Sequence, residues 1–287
     1  MTTPHVRLAL NQATIKYSTL DEALTLTASA GIRSIGLWRE PVAEVGLTEA
    51  AKRVADSGLR VSSLCRGGFF TAEEGPARRS AIDENRRAIE EAATLAGAGA
   101  TGSRAVLVLV AGALPLGSRD LIGTRARVRD AIEELVPDAL AAGVTLGIEP
   151  LHPIFAADRA VVSTLGQALD LAEDLPSEAV GAIVDTYHIW WDPQVLDQIA
   201  RAGREGRIAS YQVCDWVTPL PADVLLGRGQ PGDGSIDFAP MTRAVADAGY
   251  TGDIEVEIFN QAIWNAAPQN TIQRTVDAFS EHVAPHL

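Results

Sequence analysis

Residues 180–193 read VGAIVDTYHIWWDP, and the way the apolar run 180–184 ends decides how the whole chain is read. An unbroken apolar run of this length fits a strand buried on both faces, as in a parallel sheet covered by helices. It stops at Asp185, with His188 three positions on and Trp190 and Trp191 next. A carboxylate at the end of a buried strand is costly unless it is paired or binds a metal. Three other apolar runs in the second half end in the same manner: TLGIE at Glu149, ASYQVCD around Gln212, and DIEVEIF at Glu257. Side chains emerging from the same ends of parallel strands meet at one rim. Glu149, Asp185, Gln212 and Glu257 are therefore expected to hold one divalent cation. Oxygen donors favour Mn²⁺, with Mg²⁺ or Co²⁺ as alternatives, over a thiolate-seeking metal.

Working outward from that stretch, strand-like runs at 6–11, 34–38, 60–66, 105–110, 145–149, 181–185, 208–214 and 253–259 alternate with segments of helical period. The helices are expected at 20–30, 47–57, 78–96, 119–142, 164–174, 193–202, 239–248 and 270–283. Ser18 or Thr19 with Glu22 marks the start of the first, and Gly31, Gly58, Gly143 and Gly249 mark C-terminal ends. Eight βα units without a long linker predict a single (β/α)8 TIM barrel over 1–287. An open doubly wound sheet would carry a glycine-rich turn after its first strand, where Asn11-Gln12-Ala13 stands instead. The stretches 66–78 and 216–237, both following strands, are candidate lids.

Composition narrows the function. Hydrophobic residues make up 47% and charged residues 21%, which fits a chain with a large core. Lys and Arg number 24 against 37 Asp and Glu, a net charge of −13, so an extended nucleic-acid partner is not expected. There is no signal-like N-terminus and no apolar run long enough for a membrane span, so a cytoplasmic location is expected. Cys65 and Cys214 both fall in buried strands and read as reduced thiols.

From GIEP at 147–150 through VDTYHIWWDP to EVEIF at 255–259, and in GRGQPGDGSIDF at 227–238, the chain resembles the sugar isomerase/epimerase superfamily with the xylose-isomerase-like barrel. That group includes ketose 3-epimerases and inosose dehydratases. The resemblance implies metal ligation by Glu149, Asp185 and Glu257 and substrate contact by His188, which could instead orient a carboxylate. Where the family usually has a ligating His, this chain has Gln212; it either ligates through its amide oxygen or leaves three carboxylates and water to hold the ion. The resemblance also makes Glu149 and Glu257 the acid and base that move a proton beside a carbonyl. Trp38, Arg66, His152 and Arg228 are further rim residues placed to bind a small carbohydrate. Elimination by a lyase and a sugar-binding barrel without catalysis are the alternatives, and relatives of this kind form homo-oligomers. Trp190 and Trp191 are expected to pack at the rim, and Arg39 and Glu40 to form a surface pair.

Overall fold

The structure, a computed structural model describing residues 2–287, closes eight parallel strands into a barrel. β1 (Leu8–Asn11), β2 (Ser34–Trp38), β3 (Arg60–Gly68), β4 (Val106–Val110), β5 (Thr145–Glu149), β6 (Val180–Asp185) and β7 (Ile208–Val213) follow one another around the ring. A small antiparallel hairpin, β8 (Asp215–Trp216) with β9 (Arg228–Gly229), comes next, and β10 (Ile254–Val256) then pairs with β1 to shut the barrel.

The helices are α1 (Leu20–Ser29), α2 (Arg39–Val45), α3 (Leu47–Ser57), α4 (Pro76–Ala98), α5 (Leu121–Ala142), α6 (Leu165–Ala172), α7 (Thr186–Ile189), α8 (Val195–Arg204), α9 (Phe238–Asp247), α10 (Gln261–Trp264) and α11 (Pro268–His282). Thr19, not Ser18, caps α1, in a reciprocal box with Glu22 that satisfies two backbone donors. None of the helices is long and apolar enough to cross a membrane.

Two layers of packing hold this together. Apolar side chains on the outer faces of the strands meet the helices in one large cluster that includes Leu8, Leu37, Leu107, Leu146, Val184 and Phe279. Cys65, Val106, Val108, Ile183 and Ala209 come from strands on opposite sides of the ring and touch across its interior. The axis is thus a packed core and not a channel, which leaves only the two rims for chemistry.

The strand bounds depart from expectation in informative places. β10 ends at Val256, so Glu257 lies past the ladder, tied by its N–H to Val213 O at 3.4 Å. β3 runs on to Gly68, beyond the expected end at 66. The stretch 216–237 is no simple lid, because it contains the β8–β9 hairpin. Arg39 does not pair with Glu40; it bridges Glu84 at 2.7 Å and Glu91 at 2.5 Å, joining α2 to α4.

Candidate active site

Glu149 and Asp185 are the last residues of β5 and β6, 6% and 0% exposed. Asp185 is also the N-cap of α7, its Oδ1 accepting from Tyr187 N–H at 2.8 Å. That bond turns the chain at once into the short helix carrying His188, and it leaves Oδ2 to face inward. One ligand atom from each of Glu149, Asp185 and His188 lies within 4.8 Å of the others.

Arg228 enters this acidic group from the hairpin. Its Nη1 donates to Glu257 Oε2 at 2.9 Å and reaches Asp185 Oδ2 at 3.4 Å, while the guanidinium lies over the rings of Tyr187 and Phe259. Asp215 fixes the hairpin that delivers it. The two carboxylate oxygens of Asp215 accept from the backbone N–H groups of Trp216, Gly232, Gly234 and Ile236, at 2.8 to 2.9 Å. Gly234 is required there, since a Cβ would stand 2.2 Å from Trp216 O. The charge of Asp215 is spent on the glycine-rich turn, three residues past Gln212. Arg228, expected from the sequence to contact substrate, lines the cavity and is also the ion-pair partner of two carboxylates.

Burial and mutual repulsion dominate the electrostatics. Burial, then Glu257 and Asp185, push the Glu149 carboxyl well above its ordinary value. Burial pushes Glu257 up to about 7 even though Arg228 pulls it down. Burial also raises Asp185, with Arg228 opposing. For Arg228 itself burial would lower the pKa, but Cys214, Asp185, Glu257 and Glu149 around it more than offset that. Burial and the nearby guanidinium hold His188 well below its usual value, so its imidazole is neutral.

His188 is held between two donors. Nδ1 accepts from the backbone N–H of His152 at 3.1 Å, and Nε2 lies 3.0 Å from Arg228 Nη2, which can only donate, and 3.9 Å from Asp185 Oδ2. The ring of His152 packs on Trp216 and Trp191, at 4.9 and 5.5 Å between centroids, and serves the site through its backbone. Trp190 also packs on Trp216.

Gln212 is fully buried beside Asp185 in the ladder on one side and Glu255 on the other. Its Nε2 points to Glu255 Oε2 at 3.4 Å, and its Oε1 has no hydrogen-bond partner. Glu255 also accepts from Asn11 Nδ2 at 2.9 Å. The Asn11 amide cannot flip, because its Oδ1 already accepts from Trp38 Nε1 and Ala13 N–H at 2.8 and 3.0 Å. Gly36 makes room, as a Cβ there would fall 2.4 Å from Glu255 Oε2. Glu255 went unnoticed in the sequence, yet the signal was present: it precedes Glu257 by two, the strand repeat that puts both on one face.

The donor set suits a hard divalent ion. Glu149, Asp185 and His188 bring donor atoms together, Glu257 stands beside them on Arg228, and the fully buried Oε1 of Gln212 on the neighbouring strand has no hydrogen-bond partner among the described residues. Above them a cavity of about 240 Å³ is lined by Trp38, Arg66, Phe69, Glu149, His188, Arg228, Glu257 and Phe259 among others. Asp185, Gln212 and His152 are not in its walls.

Fold and site together define a (β/α)8 barrel with a buried acidic rim at the carboxyl ends of its strands. The chain belongs to the xylose isomerase-like TIM barrel family, whose profile matches residues 24–282. It is 27% identical to the L-ribulose 3-epimerase of Mesorhizobium japonicum, over 94% of this chain and 86% of that one. It is 29% identical to the 3-dehydroshikimate dehydratase of Pseudomonas aeruginosa, over 89% of this chain but only 38% of that longer protein. The crystal structure of protein SMc04130 from Sinorhizobium meliloti superposes with a TM-score of 0.90 at 45% identity, covering 96% of this chain and 98% of that one. The relatives with assigned activities are thus enzymes, epimerase and dehydratase alike.

Proposed function

We propose that this protein is a divalent-metal-dependent isomerase or epimerase that moves a proton on the carbon beside the carbonyl of a keto-sugar or related polyol. The observation that carries the reading is the pair of raised carboxyls, Glu149 and Glu257, in the wall of one cavity. A group that gives and takes protons near neutral pH must titrate there, and burial among like charges brings it about.

Glu149, Asp185, Glu257 and Gln212 Oε1 would hold the ion, Mn²⁺ first, with Mg²⁺ or Co²⁺ as substitutes. Bound there, it would polarise the substrate carbonyl and acidify the adjacent C–H. One of Glu149 and Glu257 then takes that proton as a carboxylate, and the other, protonated, returns one to the opposite face. His188, oriented by the His152 N–H on its Nδ1, contacts a substrate oxygen. Trp38 and Phe259, edge-to-face at 5.5 Å, form an apolar wall that excludes water and faces the C–H side of a sugar.

The test is to incubate the Mn²⁺-loaded protein with ketohexoses and inososes in D2O. Deuterium uptake beside the carbonyl with the carbon skeleton intact is expected, and it should vanish in Glu149→Gln. Full exchange in that variant would remove the acid/base assignment. The similarity to a dehydratase favours a second reading, elimination of water from the next carbon after the same proton abstraction; loss of 18 mass units, roughly one water, identifies it.

A further inference from the structure

Arg66 is the one guanidinium in the cavity that no carboxylate matches. Arg228 is held by Glu257 and Asp185, and Arg159 by Asp223 at 3.0 Å. Arg66 is half-buried, and among the described residues it has neither an ion-pair partner nor a side-chain hydrogen bond. Its guanidinium carbon lies 5.4 Å from the ring centres of both Trp38 and Phe69. Two aromatic faces hold such a group in plane but leave its N–H fork unused.

The chain around Arg66 is built to keep it there. Asn85 of α4 accepts from Gly68 N–H at 2.7 Å and donates to Gly68 O at 2.9 Å and to Ala81 O at 2.8 Å. Gly68 has φ +108°, and a Cβ on it would fall 1.9 Å from Val110 O. Phe69 and Phe70 then continue in backbone bonds to Val110 O and Ala111 O, at 2.8 and 2.9 Å. A side chain that only needed to reach solvent would not require a backbone pinned at each of the next residues.

Geometry says what the fork receives. On the reading proposed above, Asp185 and Glu257 already share Arg228, and Arg66 has no side-chain acceptor of its own among the described residues. A neutral sugar would offer its fork single hydroxyls, whereas one carboxylate presents two oxygens in the plane of the fork. We propose that the natural substrate is a keto acid of the sugar or polyol class, its carboxylate bound by Arg66 between Trp38 and Phe69.

Three ketohexoses that differ only at the terminal carbon provide the test: D-fructuronate, D-fructose and D-fructose 6-phosphate. Their Kd values are measured by calorimetry on the Mn²⁺-loaded wild type and on Arg66→Met, which keeps an apolar stem between the two rings. The uronate should bind about tenfold or more tighter than fructose, and Arg66→Met should erase that difference without changing Mn²⁺ content. No binding of the uronate to wild type, an advantage that survives in Arg66→Met, or a larger Arg66-dependent gain for the phosphate would each overturn the proposal. Failure of the underlying metal-site reading looks different: Mn²⁺ content or deuterium exchange would be absent in both proteins alike.

Discussion

Replacing Glu257 by Gln should stabilise the metal-free protein at alkaline pH while abolishing the chemistry. The Glu257 carboxyl is pushed up to about 7, against 4.5 for a free glutamate. A raised carboxyl binds its proton more tightly folded than unfolded. Its stabilising contribution is therefore complete below about 4.5 and is lost as pH rises to about 7. Across that interval the loss is about 3 kcal/mol, at ~1.4 kcal/mol per unit. Gln does not titrate, and its amide oxygen can still accept from Arg228, so the variant escapes the loss. For 287 residues the unfolding entropy is roughly 0.6 kcal/mol per degree, so Tm of the variant should exceed wild type by about 5 °C at pH 8 and equal it near pH 4.5.

Calorimetry of chelator-treated samples from pH 4.5 to 8 reads this directly. Asp185 is raised by burial in both proteins, while Glu149 loses one of the charges that raise it in the variant, which adds to the difference in the same direction. Saturating Mn²⁺ should reverse the order, because wild type gains about 2.7 kcal/mol at a hundredfold excess over Kd while the variant has lost a charged ligand. A variant that is less stable than wild type at pH 8, or a Tm difference that does not change with pH, would refute the reasoning. Either result would mean that the Arg228 ion pair outweighs the burial of Glu257.

Three further outcomes are expected. Glu255→Leu removes the acceptor that turns the Gln212 amide, so Mn²⁺ affinity measured by titration calorimetry should drop about tenfold or more, as for other groups that orient a ligand; an unchanged Kd would detach Gln212 from the metal. Gln212→His replaces a neutral oxygen donor with imidazole and should move the Zn²⁺/Mn²⁺ preference toward zinc in a competition experiment. Gly68→Ala forces a side chain into φ +108° and against Val110 O, so it should cost at least about 2 kcal/mol in denaturant unfolding. A neutral result there would show that the loop after Arg66 is not held as tightly as its contacts imply.

Much of the rim was legible because its signals are local. Glu149 and Asp185 stand out as charges that end apolar runs, and a strand end is a property of a few consecutive residues. Glu257 was found by the same rule although its ladder stops a residue earlier. Glu255 obeys the same period-two rule, but it sits mid-strand, where its charge is tolerable only because Asn11, two hundred and more positions away, donates to it. No local pattern can announce such a partner. The displacement of the His152 ring into the stack with Trp216 and Trp191 is likewise a matter of what the hairpin brings over it.

By itself, the sequence determined the barrel and the acidic character of its rim, because periodicity, caps and the burial cost of a carboxylate act over neighbouring residues. The tertiary structure decided which charges cancel. Only folding brings Arg228 from the hairpin to Asp185 and Glu257, turns Gln212 by way of Glu255, and leaves Arg66 without a counterion between Trp38 and Phe69. Coulomb and hydrogen-bond energies depend on separation in space. That separation is set by strand register and loop closure, and VGAIVDTYHIWWDP, read alone, cannot state it.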